Sequence, residues 1–325
     1  MEKPTLDANA WAVGFDLGGT NLRGALVSTD GQVQSRKSRR TLSHRGPDAV
    51  IDDITGIIEE ILAEAPSKPV GIGLASPGPL DPEKGVIINS PNLRWTNIPL
   101  KDHLDSRLEL TTTVDNDSQM TAFGERWQGA GQGADHLLCL TLGTGVGGGV
   151  ILNGRIYHGE TGSAGHVGHY IIDPLGPRCG CGAQGCLEAY ASGPNIVRRT
   201  REAIEAGRLT RIPELVEGGL DQLTSLHIYN AARDGDALAL DIFQETGHRI
   251  AHVLASLIPI LDPQVVVISG QVALAGELLL EPVRSRLAAI ICLRPPVPVV
   301  QGLLGDNGGL VGAAGVVLAQ AGLLP

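Results

Sequence analysis

One histidine and three cysteines lie within a glycine-rich segment of this 325-residue chain, HYIIDPLGPRCGCGAQGC at 169–186. These residues are His169, Cys179, Cys181 and Cys186. Thiolates and a neutral imidazole are the ligands that tetrahedral zinc prefers, and four of them close its coordination sphere. Glycines at 180, 182 and 185 would let the short segment turn tightly. We predict a structural zinc site, with a disulfide that leaves an odd thiol, or a chance cluster, as alternatives.

Two glycine-containing turns, at 18–20 and 143–145, each follow an apolar strand pattern and lead into a second strand. Bare backbone N–H groups in such turns can surround phosphate oxygens, so the pair favours a nucleotide site. The chain has no GxxxxGK[ST] sequence, and neither turn opens a helix, which argues against a P-loop or a dinucleotide fingerprint. Asp16 precedes the first turn and can hold a hydrated magnesium ion. Plain hairpins, and a turn-capping role for Asp16, are the alternatives.

Three polar residues, Asp115, Asn116 and Asp117, follow a predicted strand and precede a predicted helix. A helix N-cap needs only one such acceptor, so capping alone does not account for all three. Transfer of a phosphoryl group to a hydroxyl needs a base beside that hydroxyl. The surplus favours a function for Asp117, with helix capping as the alternative.

The two glycine turns belong to similar segments, 11–36 and 137–159, each of which reads as strand, turn, strand, turn and strand. An amphipathic helix follows the first segment, with Pro47 suited to its start. We predict further strands at 70–74, 111–114 and 265–269, a polar loop between 74 and 100, and helices at 100–108, 237–260, 276–290 and 308–320. Two α/β domains with a cleft between them are expected.

Composition and charge indicate which partners and which cellular location to expect. The net charge is −10. The densest basic cluster, at 36–40, is short and lies on a predicted strand. We therefore expect no nucleic-acid partner. No apolar run is long enough for a membrane span, and the N-terminus lacks the apolar core of a signal sequence. We expect a cytoplasmic protein without membrane partners. Forty-four glycines against three phenylalanines favour backbone contacts with a ligand over aromatic stacking.

Distinctive motifs lie along nearly the whole chain: FDLGGTNLRGA, GLASPGPLD, NSPNLRW, VDNDSQMTAFGE, LGTGVGGGV, AGHVGH, CGCGAQGCLEA and GDNGGLVGAAGV. Together they resemble the ROK family (repressors, open reading frames, kinases). The zinc segment is the most specific, because His169 precedes Cys179 by the separation that the family shows. The resemblance implies an α/β, actin-like ATPase (ribonuclease H-like) fold with two lobes and a central cleft. We assign 1–115 plus 302–325 to the N-terminal lobe and 116–301 to the C-terminal lobe.

The resemblance also implies an ATP-dependent hexose kinase that acts on the 6-hydroxyl of glucose, usually as a dimer or a dimer of dimers. Repressors of the family carry a DNA-binding winged helix ahead of the first turn. Because fifteen residues precede Asp16 and the chain is acidic, we expect a kinase. A binding module without turnover is a further alternative.

The resemblance implies roles for individual residues. Asp117 is the general base that takes the proton of the 6-hydroxyl. The sugar-binding residues are Ser76, Gly78, Asn92, Asn116, Asp117, His166, His169 and Glu188. The nucleotide-binding residues are Asp16, Gly18, Gly19, Thr20, Asn21, Arg23, Gly143, Thr144, Gly145 and Gly270. The expected cofactors are structural Zn2+ on the four ligands above and Mg2+ with ATP. Turn chemistry alone for 76–79, and a solvated Glu188, are the alternatives.

Three positions depart from the family pattern. His166 stands where most ROK glucokinases have glutamate, and bacterial N-acetylmannosamine kinases resemble the chain there. A neutral imidazole can donate a hydrogen bond to an acetamido carbonyl, whereas a carboxylate can only accept. Since NSPNLRWTNIPL resembles glucokinases more closely, we predict glucose, with N-acetylmannosamine and then fructose as alternatives. Asn21 in place of a frequent lysine, and the reduced adenosine loop at 268–276, leave nucleotide affinity less defined.

Overall fold

The protein is described from a computed structural model that covers residues 10–292 and 294–324. The strands are β1 Trp11–Leu17, β2 Asn21–Ser28, β3 Val33–Arg40, β4 Ile72–Ser76, β5 Leu80–Asp81, β6 Val86–Ser90, β7 Trp95–Ile98, β8 Thr112–Asn116, β9 Leu137–Leu142, β10 Val146–Leu152, β11 Arg155–Ile156, β12 Val265–Ser269 and β13 Val299–Gln301. The helices are α1 Pro47–Ala63, α2 Leu100–Leu108, α3 Asp117–Gln128, α4 Glu188–Ala191, α5 Gly193–Glu205, α6 Ser225–Arg233, α7 Ala237–Leu261, α8 Glu277–Ile290 and α9 Gly308–Gln320. Within these two ranges, no helix has the length and apolar character that crossing a membrane requires.

The first five-stranded sheet has the order β3-β2-β1-β4-β8. β1, β4 and β8 run parallel, while β2 and β3 form an antiparallel extension. Asp16 pairs in register with Ala75, and Ser76 pairs with Asn116. The carboxyl ends of the three parallel strands therefore bring the first glycine turn, the 76–79 loop and the start of α3 to one edge of the sheet.

The core of this sheet is formed by apolar side chains of the strands and of α1 and α2. α1 begins with Pro47 as a first-turn residue and buries Ile54, Ile57, Ile58 and Ile61, spaced as one face of a helix. This amphipathic packing explains why α1 was predictable from its sequence.

Helix α9 packs closely on β1, β4 and α3 because glycines remove side chains from its contacts. A Cβ at Gly73 would lie 2.0 Å from the carbonyl oxygen of Ala313, and a Cβ at Gly312 would lie 1.7 Å from that of Met120. Neither site has room for alanine without backbone movement. Because α3, which carries Asp117, and β1, which carries Asp16, both pack on α9, this helix links the two elements.

The second five-stranded sheet has the order β11-β10-β9-β12-β13. Strands β12 and β13 run parallel beside β9, in the same way that β4 and β8 run parallel beside β1 in the first sheet. The expected duplication of a strand-turn-strand-turn-strand unit is thus present in both sheets.

A third, three-stranded sheet, β5-β6-β7, occupies the region that we expected to be a polar loop. Its strands are two to five residues long and mix exposed with buried positions, so they lack an alternating apolar pattern. Trp95 and Leu93 are nevertheless buried in the core of the first sheet. The loop prediction was therefore wrong, because short strands of this kind are specified by packing.

Contacts divide the chain into two compact units. The first contains 1–133, 149–164 and 306–325, and the second contains 134–148 and 165–305. This division places α3 in the first unit, whereas the lobe boundary assigned from the sequence lies at 115. The packing of α3 on α9 accounts for that difference.

Candidate functional site

The first glycine turn connects β1 to β2 in the first unit. The N–H of Gly18 donates to the carbonyl of Asn21 at 3.0 Å, and the hydroxyl of Thr41 donates to the carbonyl of Gly18 at 2.7 Å. These bonds hold the turn from both sides, while Gly19 and Thr20 at its tip are exposed. The tip can therefore present backbone N–H groups to an anionic ligand.

Asp16 lies among charged groups at the end of β1. Burial, together with the negative charges of Asp117 and Asp306, raises the pKa of its carboxyl to about 7, although the positive charge of Arg23 opposes the rise. A bound cation would strongly stabilise the ionised form of a carboxyl group in such surroundings. The residues therefore fit the magnesium ion expected with ATP. Asp16 is the residue that would hold it.

Asp306 is a charged residue of this group to which we assigned no role from the sequence. It lies in the 3-10 turn Gly305–Asn307 that leads into α9, and its carboxylate is 3.6 Å from Arg23. A Cβ on Gly309, in the first turn of α9, would lie 3.4 Å from Asp16 Oδ1. The N-terminal end of α9 thus reaches Asp16, a contact between residues almost 300 positions apart.

The sequence left open which of Asn116 and Asp117 caps helix α3. Asn116 is the N-cap of α3, and its side-chain oxygen accepts from the N–H groups of Ser118 and Gln119 at 3.0 and 3.3 Å. Asp117 is the first helical residue, and its Oδ1 accepts from the N–H of Ser118 at 2.7 Å. Burial raises the pKa of the Asp117 carboxyl, and the bonds from Ser118 oppose this. Because Asn116 already caps the helix, capping is not needed to account for Asp117.

The other predicted sugar-binding residues of this unit differ in exposure. Asn92 is exposed, and its Cβ is 3.2 Å from where a Cβ on Gly19 would lie, so it is beside the first turn. Ser76 is fully buried, and its hydroxyl donates to the carbonyl of Pro77 at 3.3 Å. Gly78 has a φ of +98°, and a Cβ there would collide with the carbonyl of Asn89. Turn chemistry therefore accounts for part of the 76–79 sequence.

The second glycine turn connects β9 to β10 in the second unit. The N–H of Gly193, at the start of α5, donates to the carbonyl of Gly143 at 2.9 Å. Gly270 has a φ of +89°, and a Cβ there would lie 2.5 Å from the carbonyl oxygen of Leu142. Glycine at 270 thus lets the 268–276 loop pass against the turn, which brings two predicted nucleotide elements together.

The four predicted zinc ligands converge in the second unit. Their ligand atoms all lie within 4.8 Å of one another. Cys181 Sγ is 3.8 Å from Cys186 Sγ, and Cys179 Sγ is 3.7 Å from His169 Nδ1. Zinc–sulfur bonds of about 2.3 Å in a tetrahedron place two sulfurs about 3.8 Å apart, so the donor set fits zinc. Sulfurs at this separation are not joined by a disulfide.

Of the three glycines expected to let this segment turn tightly, two have a steric reason for being there. Gly182 and Gly185 have φ values of +96° and +71°, and a Cβ on Gly185 would overlap the carbonyl of Asp173. Gly180 has open space around it and no positive φ, so neither its contacts nor its backbone conformation requires glycine there. The hydroxyl of Tyr190 also donates to Asp173 at 2.8 Å, which ties the segment to α4.

Glu188 and His166 lie close to the zinc ligands. Glu188 Oε2 accepts from the N–H of Val146 at 2.9 Å, and its Oε1 is 3.4 Å from Cys179 Sγ. Glu188 is therefore bonded to the second glycine turn as well as neighbouring the cysteines. The His166 ring centre is 6.3 Å from that of His169, and burial together with His169 lowers the pKa of His166. His166 is thus expected to be neutral at pH 7.

The sequence signature of the ROK family matches residues 12–320. The chain belongs to the ROK family. A glucokinase of Thermotoga maritima is 37% identical over 313 residues, which cover 95% of this chain and 98% of that protein. The structure of a ROK-family glucokinase from Streptomyces griseus in complex with glucose and AMPPNP has a TM-score of 0.83 at 34% identity, covering 94% of this chain and 99% of that one.

A putative N-acetylmannosamine kinase from Listeria monocytogenes is also similar, with a TM-score of 0.76 at 26% identity over 96% of this chain and 99% of that one. These ROK structures confirm the actin-like ATPase fold that the motifs implied.

Proposed function

We propose that this ROK chain is an ATP-dependent glucokinase, which transfers the γ-phosphoryl group of ATP to the 6-hydroxyl of glucose. The observation that carries the proposal is the 37% identity to a glucokinase along nearly the full length of both chains. An acidic cluster with a carboxyl of raised pKa beside a glycine turn supports it, because the same chemistry needs a base and a cation site.

The activity is tested by a coupled ADP-release assay with ATP, Mg2+ and zinc-loaded protein. Glucose, mannose, N-acetylmannosamine, N-acetylglucosamine and fructose are supplied one at a time. We expect the highest kcat/KM with glucose. No sugar-dependent ADP release with any of the five would reject a kinase and favour a sugar-binding regulator.

In the first unit, we propose that Asp117 accepts the proton of the 6-hydroxyl. The hydroxyl oxygen then attacks the γ-phosphorus in line, a new O–P bond forms, and the bond to the β-phosphate oxygen breaks, so that ADP leaves with the electron pair. The raised pKa of Asp117 makes its carboxylate a stronger base than an exposed aspartate. Asn116 and Asn92 are proposed to hold neighbouring hydroxyls of the sugar.

The phosphate chain of ATP is proposed to contact the backbone of the first turn, Gly18 to Asn21, with Arg23 near the transferred group. Asp16 would hold magnesium, which would neutralise charge on the phosphate oxygens. In the second unit, the turn at 143–145 and Gly270 are proposed to be nucleotide-binding elements.

The zinc segment is proposed to position sugar-binding side chains. Zinc on the four ligands supplies structural cross-linking of the segment. His169 presents Nδ1 towards Cys179, which leaves its Nε2 for a sugar hydroxyl. Glu188 and His166 are proposed to contact the same sugar. A homodimer, or a dimer of dimers, stays a prediction from the resemblance, and a cytoplasmic location stays a prediction from the composition and the N-terminal sequence.

N-acetylmannosamine is the second candidate substrate, and His166 is the observation that favours it. The lowered pKa of His166 leaves a neutral ring, which can donate to an acetamido carbonyl. Similarity to the Listeria protein agrees with this reading, although its identity is lower than that to the glucokinases.

The variant His166→Glu is expected to change sugar preference. If glucose is the native substrate, a carboxylate that accepts from two hydroxyls should raise kcat/KM for glucose several-fold. If N-acetylmannosamine is native, the loss of the donor should lower its kcat/KM by 10-fold or more, on the order of one lost hydrogen bond. Steady-state kinetics with both sugars measure this, and an unchanged ratio would remove His166 as a determinant of specificity.

A further inference from the structure

The segment 157–164, for which the proposed reaction has no role, is closed on itself and attached to the start of α3. The N–H of Ala164 donates to the carbonyl of His158 at 3.0 Å, and Gln119 Nε2 donates to the carbonyl of Ala164 at 2.8 Å. The ring of His158 reaches Asp115, with Nε2 to Oδ2 at 2.6 Å. All of these residues belong to the first unit.

Asp115 connects His158 to the junction of β8 and α3, which carries Asn116 and Asp117. It is 4% exposed and lies in β8, immediately before Asn116. One carboxylate oxygen accepts from the N–H of Asn116 at 2.7 Å, and the other meets the His158 ring. A buried carboxylate needs partners for its oxygens, so the loss of His158 would leave one oxygen without this partner. The side chain of Asp115 would then be able to rotate, and this rotation would weaken its hydrogen bond with the N–H of Asn116.

The electrostatics agree with this geometry. The hydrogen bond from Asp115 raises the pKa of His158, while partial burial opposes the rise. The histidine therefore favours a protonated ring that donates to Asp115. A charge-assisted bond of this kind is shorter and stronger than a bond between neutral groups.

We propose that His158 is a positioning residue for phosphoryl transfer, because its bond to Asp115 fixes the β8–α3 junction that carries Asn116 and Asp117. The proposal rests on the proposed kinase function, in which Asp117 is the base. His158 itself touches neither the reacting oxygen nor the phosphate in this scheme. A displacement of about 1 Å at a catalytic group can cost about 100-fold in rate, so the effect should fall on kcat.

The test compares four full-length variants with the wild type: His158→Ala, His158→Gln, Asp115→Asn and the control His103→Ala. His103 is a half-buried histidine on α2. We expect His158→Ala to lower kcat by about 10- to 100-fold, with the KM for ATP within about twofold of the wild type. His158→Gln keeps a side-chain N–H for Asp115 and should recover most of kcat. His103→Ala should match the wild type.

Two outcomes would overturn the proposal. One is a lower Tm of His158→Ala with an unchanged kcat, which would make the pair structural only. The other is an equal loss in His158→Gln and His158→Ala, which would show that the N–H donor is not what matters. If His158→Ala does not fold, Asp115→Asn carries the test, since it weakens the same bond and should also lower kcat.

Hydrogen exchange gives a readout that does not depend on turnover. In His158→Ala, amides of the capping turn at Ser118 and Gln119 should exchange faster than in the wild type, while peptides of α1 should be unchanged. Unaltered protection of the capping turn would overturn the proposal. A wild type that phosphorylates no sugar would reject the proposed kinase, whereas the exchange experiment would still report on the junction.

Discussion

Asp117→Asn is expected to lower kcat for glucose phosphorylation by about 10²–10⁴-fold, the range that a general base contributes. Asparagine keeps an oxygen that can accept from the N–H of Ser118, so the start of α3 should stay intact. It cannot take the proton of the 6-hydroxyl. Glucose affinity, measured by isothermal titration calorimetry without ATP, should change by no more than a few-fold.

The matched control is Asp102→Asn, because Asp102 also lies in the first turn of a helix, α2, but is exposed. Its kcat should equal that of the wild type. If Asp117→Asn keeps a substantial fraction of kcat, Asp117 is not the base.

The pH profile provides a second test of the same residue. The base must be ionised, and burial raises the pKa of Asp117, so kcat/KM should fall as the pH is lowered through a value above that of an ordinary aspartate. An acid limb near pH 4 would instead indicate an exposed carboxylate.

Removal of zinc is expected to weaken glucose binding more than nucleotide binding. Cys181→Ser should reduce the bound zinc measured by elemental analysis from about one ion per chain towards zero. Its glucose Kd should rise by about 10-fold or more, because His169 and Glu188 lose the support that orients them. The Kd for a non-hydrolysable ATP analogue should change less.

Cys292→Ser is the matched control, since Cys292 and Cys181 are both exposed cysteines and only Cys181 belongs to the ligand cluster. It should retain zinc and glucose affinity. Equal loss of glucose and nucleotide affinity in Cys181→Ser would indicate that zinc stabilises the whole second unit, because Glu188 also bonds to Val146 beside the second glycine turn.

Local sequence features predicted much of the fold. Helices α2 and α9 and strand β12 have the bounds that their patterns indicated, and β4 begins two residues later than expected, at Ile72. An amphipathic helix, or a buried apolar run between turn residues, is specified by its own periodicity. The short strands β5–β7 were missed for the opposite reason, since their residues have no regular pattern.

The candidate site also contains residues that local sequence predicted and residues that it did not. The clustering of His169 with Cys179, Cys181 and Cys186 was predictable because all four residues, and most of the turns that gather them, lie within 169–186. The partners of Asp115 and of Arg23 were not predictable, because His158 meets Asp115 across 43 positions and Arg23 meets Asp306 across 283. Residues so far apart become partners only when the strands and helices pack.

Local sequence was enough to identify the ROK family, the two glycine turns, the histidine and cysteines of the candidate metal site and the position of the candidate base. Packing in three dimensions was needed to show which acceptor caps α3, which carboxyls have raised pKa values and which glycines are required by close backbone contact. Burial and electrostatic coupling depend on what surrounds a group in space, and that information is absent from local spacing. The protonation of His166, to which we attribute a proposed role in sugar choice, also depends on the tertiary structure, because burial and the neighbouring His169 lower its pKa.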